Sequence, residues 1–379
     1  MLLAIVFVLG AARTVLADCR LLADITPAGA YAVAYRSGQP LAACRLDQPM
    51  VPASIIKIAT VAAALSILGP AYRFPTEFFV DGEDNLYIRG FGDPTLTSEA
   101  VAAIAVRLRQ QGLASVATLF VDGSAFRLTG LTPGQEGSDN PYDAPVGPLA
   151  VNFNAVPFER DQSGRITSGE AQTPLLPIMT EMARTRPPGR HRLNLCAGGC
   201  DPEARVARYA GELFRAQLEQ AGVPVAGLGG LRTAPATARL FATHHSILTL
   251  VETSRSLLRY SSNFTANLIF LACGTQRFGT PATWDKARRA VAEALEQQVG
   301  ASAKAIVQVD GAGLSRDNRV TGRAMLGLLA AFRPHRDLLP RDQHGWVKTG
   351  TLTGVSNAAG YLADGRPYVV LLNQAAGHR

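Results

Sequence analysis

Lysine is nearly absent from this chain. Of 37 basic residues only Lys57, Lys286, Lys304 and Lys348 are lysine, and the rest are arginine. Arginine serves wherever a permanent positive charge suffices. A position that keeps lysine can ask for something else, an ammonium that burial strips of its proton to leave a base. Aromatic residues are also scarce, at 7%, and no basic run is interleaved with them. Nucleic acid is therefore a poor expectation as a partner. No cysteine–histidine spacing has the look of a zinc site, so neither metal nor cofactor is expected. Beyond the N-terminus no apolar run approaches the roughly 20 residues that a spanning helix needs. The longest, Ile58 to Leu68, reads as a buried core helix. No repeat of 20 to 50 residues and no low-complexity tract interrupts the chain.

What is present begins with an address. Met1 to Gly10 is apolar, Arg13 cuts the run short, and Val15–Leu16–Ala17 offers small-residue cleavage chemistry. Residues 1–17 read as a signal peptide and the mature chain as periplasmic or secreted. Export permits disulfides. Five cysteines suggest Cys19 with Cys44 and Cys196 with Cys200, while Cys273, in an apolar run, reads as a buried inert thiol. A net charge of +7 and a pI near 9.4 favour anionic surroundings, a polyanionic wall or peripheral contact with a membrane surface.

The 379 residues allow two or three domains. Near the N-terminus Ala30–Tyr35 and Leu41–Arg45 alternate about a Ser37–Gly38 turn, a hairpin pattern. At the other end Trp346–Thr351, Ala358–Leu362 and Tyr368–Gln374 read as a meander. Between them lie helical stretches at Ile55–Leu68, Glu99–Gln111, Ala204–Ala221, Ser246–Tyr260 and Asp285–Gln298. The expected fold is α+β, with both chain ends sharing one antiparallel sheet flanked by helices. Residues 18–75 and 236–379 would form that domain. The Gly- and Pro-rich middle, 76–235, would form one or two smaller inserted domains.

Two of the four lysines stand in short motifs. Ser54–Ile55–Ile56–Lys57 is S-x-x-K at the start of an apolar helix, where free N–H groups favour negative charge developing on the serine. Lys57, three residues on, can reach the serine oxygen, and its apolar neighbours depress its pKa. Lys348–Thr349–Gly350–Thr351 reads as a strand whose glycine admits a ligand backbone, with lysine and threonine to hold a carboxylate. Ser261–Ser262–Asn263 follows a helix, offering a hydroxyl for proton relay and an amide for a peptide carbonyl. Each alone has a bland reading as a helix cap, an edge-strand lysine or a helix boundary. S-x-x-K, S-x-N and K-T-G in this order are the catalytic set of penicillin-binding proteins and serine β-lactamases.

With about 200 residues between Ser54 and Ser261, the chain resembles the S13 peptidases. These are class C low-molecular-mass penicillin-binding proteins that act as D-alanyl-D-alanine carboxypeptidases and endopeptidases. Gly92–Asp93–Pro94–Thr95–Leu96, Asp143–Ala144–Pro145 with Val151–Asn152, and Asp310–Gly311–Ala312–Gly313–Leu314–Ser315–Arg316 carry the likeness further. It runs from about residue 24 to 374. It implies a DD-peptidase-like fold with domains inserted between the first two motifs. The partners would be peptidoglycan stem peptides ending in D-Ala-D-Ala, and β-lactams.

By that resemblance Ser54 is the nucleophile and Lys57 its base, while Ser261 and Asn263 serve proton transfer and positioning. Lys348 and Thr349 bind the terminal carboxylate, and the Thr351 N–H joins that of Ser54 in an oxyanion hole. Arg316 and Tyr142 line the stem-peptide pocket, with Glu136 or Asp139 as its acidic member. Ser262 stands where many relatives have aspartate, and the sequence stops soon after its last strand, where relatives usually continue into a helix. A non-catalytic wall-binding protein is the rival reading, and a serine β-lactamase a further one, although the E-x-x-L-N segment of class A enzymes is missing.

Overall fold

The computed structural model describes residues 19–23 and 28–374, so the expected signal peptide lies outside the described residues. The chain divides into two compact units. One comprises the residues up to Ala71, Leu250–Phe278 and those from Trp284 on; the other comprises Tyr72–Thr249 and Gly279–Thr283.

In the first unit the alternating N-terminal segments form a hairpin of β1 (Gly29–Ala34) and β2 (Pro40–Cys44), turned by Gly38 at φ +90°. Strand β3 (Arg341–Asp342) is a two-residue edge. It leads into the meander β4 (Gly345–Leu352), β5 (Val355–Leu362) and β6 (Pro367–Asn373). Strand β6 pairs antiparallel with β1, Ala32 opposite Val369, so the two chain ends close one sheet in the order β3-β4-β5-β6-β1-β2. Every residue of β1 is buried, because the centre of this sheet is covered on both faces.

The helices of this unit are α1 (Lys57–Ile67), α2 (Leu250–Tyr260), α3 (Asn263–Phe278), α4 (Trp284–Val299) and α5 (Gly322–Phe332). Helix α5 packs on β1 and β6. The opposite face carries a cluster of Tyr31, Val33, Ala358, Leu362, Tyr368 and Val370, joined by Leu22 from a single helical turn, Arg20–Ala23. A Cys19–Cys44 disulfide ties that turn to β2. Helix α1 is the buried centre. Nine of its eleven residues are buried and it packs against α3 and α4, the burial expected of a helix that is apolar all round.

Helix boundaries shift from the sequence expectation, and two of the shifts have a local cause. The apolar helix starts later, because Ala53–Ile56 is wound as a tighter 3-10 turn that places Ser54 before α1. Helix α2 starts at Leu250 rather than Ser246. Ser246 instead prolongs strand pairing, donating its N–H to Phe74 O and accepting the Phe74 N–H on Oγ.

The second unit has its own core, containing Phe78, Ile88, Ile104, Leu119 and Phe214. Its five-stranded sheet runs Arg239–His245, Pro75–Val80, Leu86–Gly90, Val116–Asp122, Val225–Leu231; the first two pairings are antiparallel and the last two parallel. Helices Ser98–Gln110 and Pro202–Gln220 begin at Thr97 and Asp201, whose side chains accept backbone N–H groups. A three-stranded sheet centred on Ala155–Arg160 completes the unit. Its last strand, Gly189–Asn194, leads to a loop closed by a Cys196–Cys200 disulfide.

Candidate active site

Ser54 is held by the sheet as much as by its own helix. From β5, the buried Asn357 donates Nδ2 to the carbonyls of Val51 and Pro52, both at 2.8 Å, while its Oδ1 accepts the Leu372 N–H of β6. Asn373 Oδ1 accepts the Val51 N–H at 2.7 Å. On β4, a Cβ at Gly350 would lie 2.8 Å from both Pro52 O and Ser54 N, so only glycine lets that strand pack against the turn. The glycine that the sequence reading gave to substrate access thus also seats the nucleophile.

Lys57, the first residue of α1, is wholly buried. Its Nζ lies 2.7 Å from Ser54 Oγ, 2.8 Å from Asn263 Oδ1 and 2.6 Å from the carbonyl oxygen of Ala312. Asn263 opens α3, preceded by Ser261 in the left-handed region at φ 58° and by Ser262, whose Oγ accepts the Thr265 N–H and so caps the helix. Burial drives the Lys57 pKa well below the ordinary lysine value. The neighbouring Lys348 charge lowers it further, and Asp310 opposes the shift.

In its neutral form the Lys57 amine has these three contacts to share between its N–H bonds and its lone pair. A neutral amine has two N–H bonds and one lone pair. The oxygens of Ala312 and Asn263 can only accept, so they take the two N–H bonds and leave the lone pair facing the Ser54 hydroxyl.

Lys348 is almost fully buried on β4, and its Nζ donates to Thr349 O at 2.8 Å. Burial lowers its pKa to about 8, so it remains an ammonium at neutral pH. Thr349 and Thr351 alternate with it and are exposed. Among the described residues, short β3 pairs only with Gly345 and Trp346, and no strand pairs with the outer edge of β4 beyond them. A strand edge of this kind suits an extended peptide.

Ser54, Lys57 and Asn263 thus form one hydrogen-bonded set, with Lys348 close enough to act on Lys57. Among the described residues no hydrogen bond joins the Ser261 hydroxyl to Ser54 or Lys57. Arg316 is exposed in the same unit and donates to Thr353 O, in the turn after β4. Tyr142 lies in the second unit, exposed, its hydroxyl accepting from Asn140 Nδ2. Both oxygens of Asp139 are engaged, one by the Gly198 N–H and one by Arg186, whereas Glu136 is exposed. The sequence reading missed Asn357 and the Ala312 carbonyl. An isolated asparagine in a strand has no motif to mark it, and a backbone carbonyl leaves no trace in residue type.

A model of the D-Ala-D-Ala carboxypeptidase 3 (S13) family matches residues 13–186 and 203–344. A D-alanyl-D-alanine carboxypeptidase of Actinomadura sp. (strain R39) is 28% identical over 404 residues, covering 88% of this chain and 74% of its own. A carboxypeptidase of Mycobacterium tuberculosis is 28% identical over 362 residues, covering 84% of this chain and 69% of its own. Among solved structures, penicillin binding protein 4 of Haemophilus influenzae superposes with a TM-score of 0.75 at 22% identity, over 93% of this chain and 91% of that one. The fold is accordingly the DD-peptidase-like α+β architecture with inserted subdomains.

Proposed function

The chain belongs to the D-Ala-D-Ala carboxypeptidase 3 (S13) family, and on that premise we propose that it is a serine carboxypeptidase and endopeptidase of peptidoglycan stem peptides, acting through an acyl-Ser54 intermediate. One observation carries this reading: the buried Lys57 Nζ lies 2.7 Å from Ser54 Oγ, with Asn263 Oδ1 and the Ala312 carbonyl as its other two partners.

In the first step Lys57 takes the hydroxyl proton as Ser54 Oγ attacks the carbonyl carbon between two D-alanines. The tetrahedral oxyanion lies between the N–H groups of Ser54 and Thr351. Its collapse breaks the amide bond, and the leaving amine takes the proton from Lys57, with Ser261 as relay. Water then attacks the ester and gives a proton to Lys57, which returns it to Ser54 Oγ as the ester bond breaks and the shortened peptide leaves. Asn263 orients Lys57 and the substrate carbonyl, while Lys348 and Thr349 hold the terminal carboxylate. The first unit holds this chemistry. Arg316, in the same unit, is assigned to the stem-peptide side chain.

Two disulfides fit an oxidising compartment, so we place the protein outside the cytoplasmic membrane, at the wall. No helix among the described residues is long and apolar enough to cross a membrane.

Release of D-alanine from a pentapeptide ending in D-Ala-D-Ala tests the activity. Turnover by the wild type and none by Ser54→Ala supports it. Equal turnover by both contradicts it. A folded wild type with no turnover on either the pentapeptide or a cross-linked dimer favours the wall-binding reading.

A further inference from the structure

The Asp310–Arg316 segment has so far supplied one carbonyl and one arginine, yet it is densely tied. Asp310 is fully buried. Its Oδ1 accepts the N–H groups of Ala312 (2.8 Å), Gly313 (2.7 Å) and Leu314 (3.1 Å). Its Oδ2 accepts the Ser315 N–H (2.9 Å) and Asn318 Nδ2 (2.7 Å). Five neutral donors thus converge on one carboxylate.

The loop is wedged between the two elements that carry the other catalytic groups. A Cβ at Gly313 would lie 2.1 Å from the carbonyl oxygen of Ala53, next to the nucleophile. One at Gly311 would lie 2.6 Å from Ala266 O on α3, one turn beyond Asn263. Two further bonds pin it in depth: Thr60 Oγ1 of α1 donates to Gly311 O at 2.7 Å, and Gly311 N–H donates to Asn267 Oδ1 of α3 at 2.8 Å. Thr60 is one turn after Lys57, so α1 grips this loop twice, through Thr60 on Gly311 O and through Lys57 on Ala312 O.

We propose that Asp310 is a positioning residue for acylation. By gathering the N–H groups of residues 312–315 it aims the Ala312 carbonyl at Lys57, and so aims the lysine lone pair at Ser54. This rests on the functional reading above. Without that carbonyl the amine can rotate, and the lone pair leaves the line to Ser54 Oγ. The carboxylate has a second effect. When Lys57 takes the serine proton, the ammonium forms against a carbonyl whose own peptide N–H is bonded to a buried negative charge. Asp310 therefore stabilises the charge that develops in the transition state.

The test compares wild type, Asp310→Asn and Thr60→Val in the rate of penicillin acylation from pH 5 to 10. Folding is checked by thermal melting and the noncovalent binding step is resolved by rapid mixing. An asparagine offers one accepting oxygen where five donors need two, and it removes the charge. Misaiming the reacting pair costs about ten- to a hundredfold in the acylation rate constant, with penicillin binding little changed. In Asp310→Asn the acid limb of the profile also moves to lower pH, because the charge that favours protonated Lys57 is gone. Thr60→Val loosens the loop without changing charge, so its rate constant falls while its acid limb stays in place.

Folded variants that acylate at the wild-type rate with unmoved limbs overturn the proposal. So does an Asp310→Asn protein whose remaining folded fraction reacts as wild type does. If Asp310→Asn does not fold, Thr60→Val decides, and an unchanged rate constant overturns the proposal. Wild type that takes no penicillin sinks the functional reading itself, whereas labelled wild type beside unaffected variants sinks only the role given to Asp310.

Discussion

Two lysines in one pocket have opposite duties, and burial sets both. Lys57 must be neutral to accept a proton, and full burial beside a second cation favours that form. Lys348 must be charged to hold a carboxylate, and burial lowers its pKa only to about 8. The sign is direct: a lysine pKa lowered to about 8 means the ammonium is present below that pH and lost above it. For a peptide ending in a free carboxylate, kcat/KM is therefore expected to fall about tenfold per pH unit above pH 8, chiefly through KM. A profile flat to pH 10 would remove Lys348 from carboxylate binding. The scarcity of lysine made both residues visible in the sequence. Asp310 stood out only through resemblance, because five hydrogen bonds to a turn's backbone are a property of the folded loop.

At the scale of elements, the site is a junction of a 3-10 turn, the starts of α1 and α3, and strand β4. Each contributes through its backbone as well as a side chain. Gly350 shows this best, since it brings β4 against the backbone of residues 52–55. Gly350→Ala puts a methyl group into the Ser54 N–H. The expected result is a loss of about a hundredfold in acylation, the scale of losing one oxyanion donor, with about 1–3 kcal/mol of stability. Wild-type labelling by that variant would contradict the packing described.

Element types were readable where periodicity was strong. The hairpin and the meander appear within one to three residues of the pattern that marked them. Boundaries failed where side chains rearrange the backbone locally. Ser246 bonds to Phe74 and delays α2, and the chain tightens at Ala53–Ile56 to present Ser54. Neither effect has a periodic signature.

Over the whole molecule, the ends of the sequence meet in one sheet, and a covalent tie holds the first described turn to it. The Cys19–Cys44 bond closes a loop with a sequence separation of 25 over the face that carries Tyr31, Tyr368 and Val370. Replacing both cysteines by serine is expected to cost about 2–4 kcal/mol in denaturant unfolding. Acylation at 25 °C should be unaffected, because the bond lies on β2, four strands from β4 in the sheet order. A large loss of acylation without loss of stability would show that this face reaches the site. The closing of the sheet by the chain ends was legible, since strand patterns occurred at both termini. The strand order inside the second unit was not: its parallel and antiparallel pairings depend on contacts far apart in sequence, among Gly- and Pro-rich segments that hide their alternation.

The central claim is that Ser54, activated by Lys57, forms a covalent acyl-enzyme. The most direct test is intact-mass spectrometry of the mature protein after brief exposure to a penicillin, wild type beside Ser54→Ala and Lys57→Arg. The expected result is one penicillin per wild-type molecule, mapped to the peptide containing Ser54. Ser54→Ala should carry no adduct, and Lys57→Arg little, because arginine fills the place but does not give up its proton. An adduct on Ser54→Ala, or a Lys57→Arg protein labelled as fast as wild type, would contradict the account.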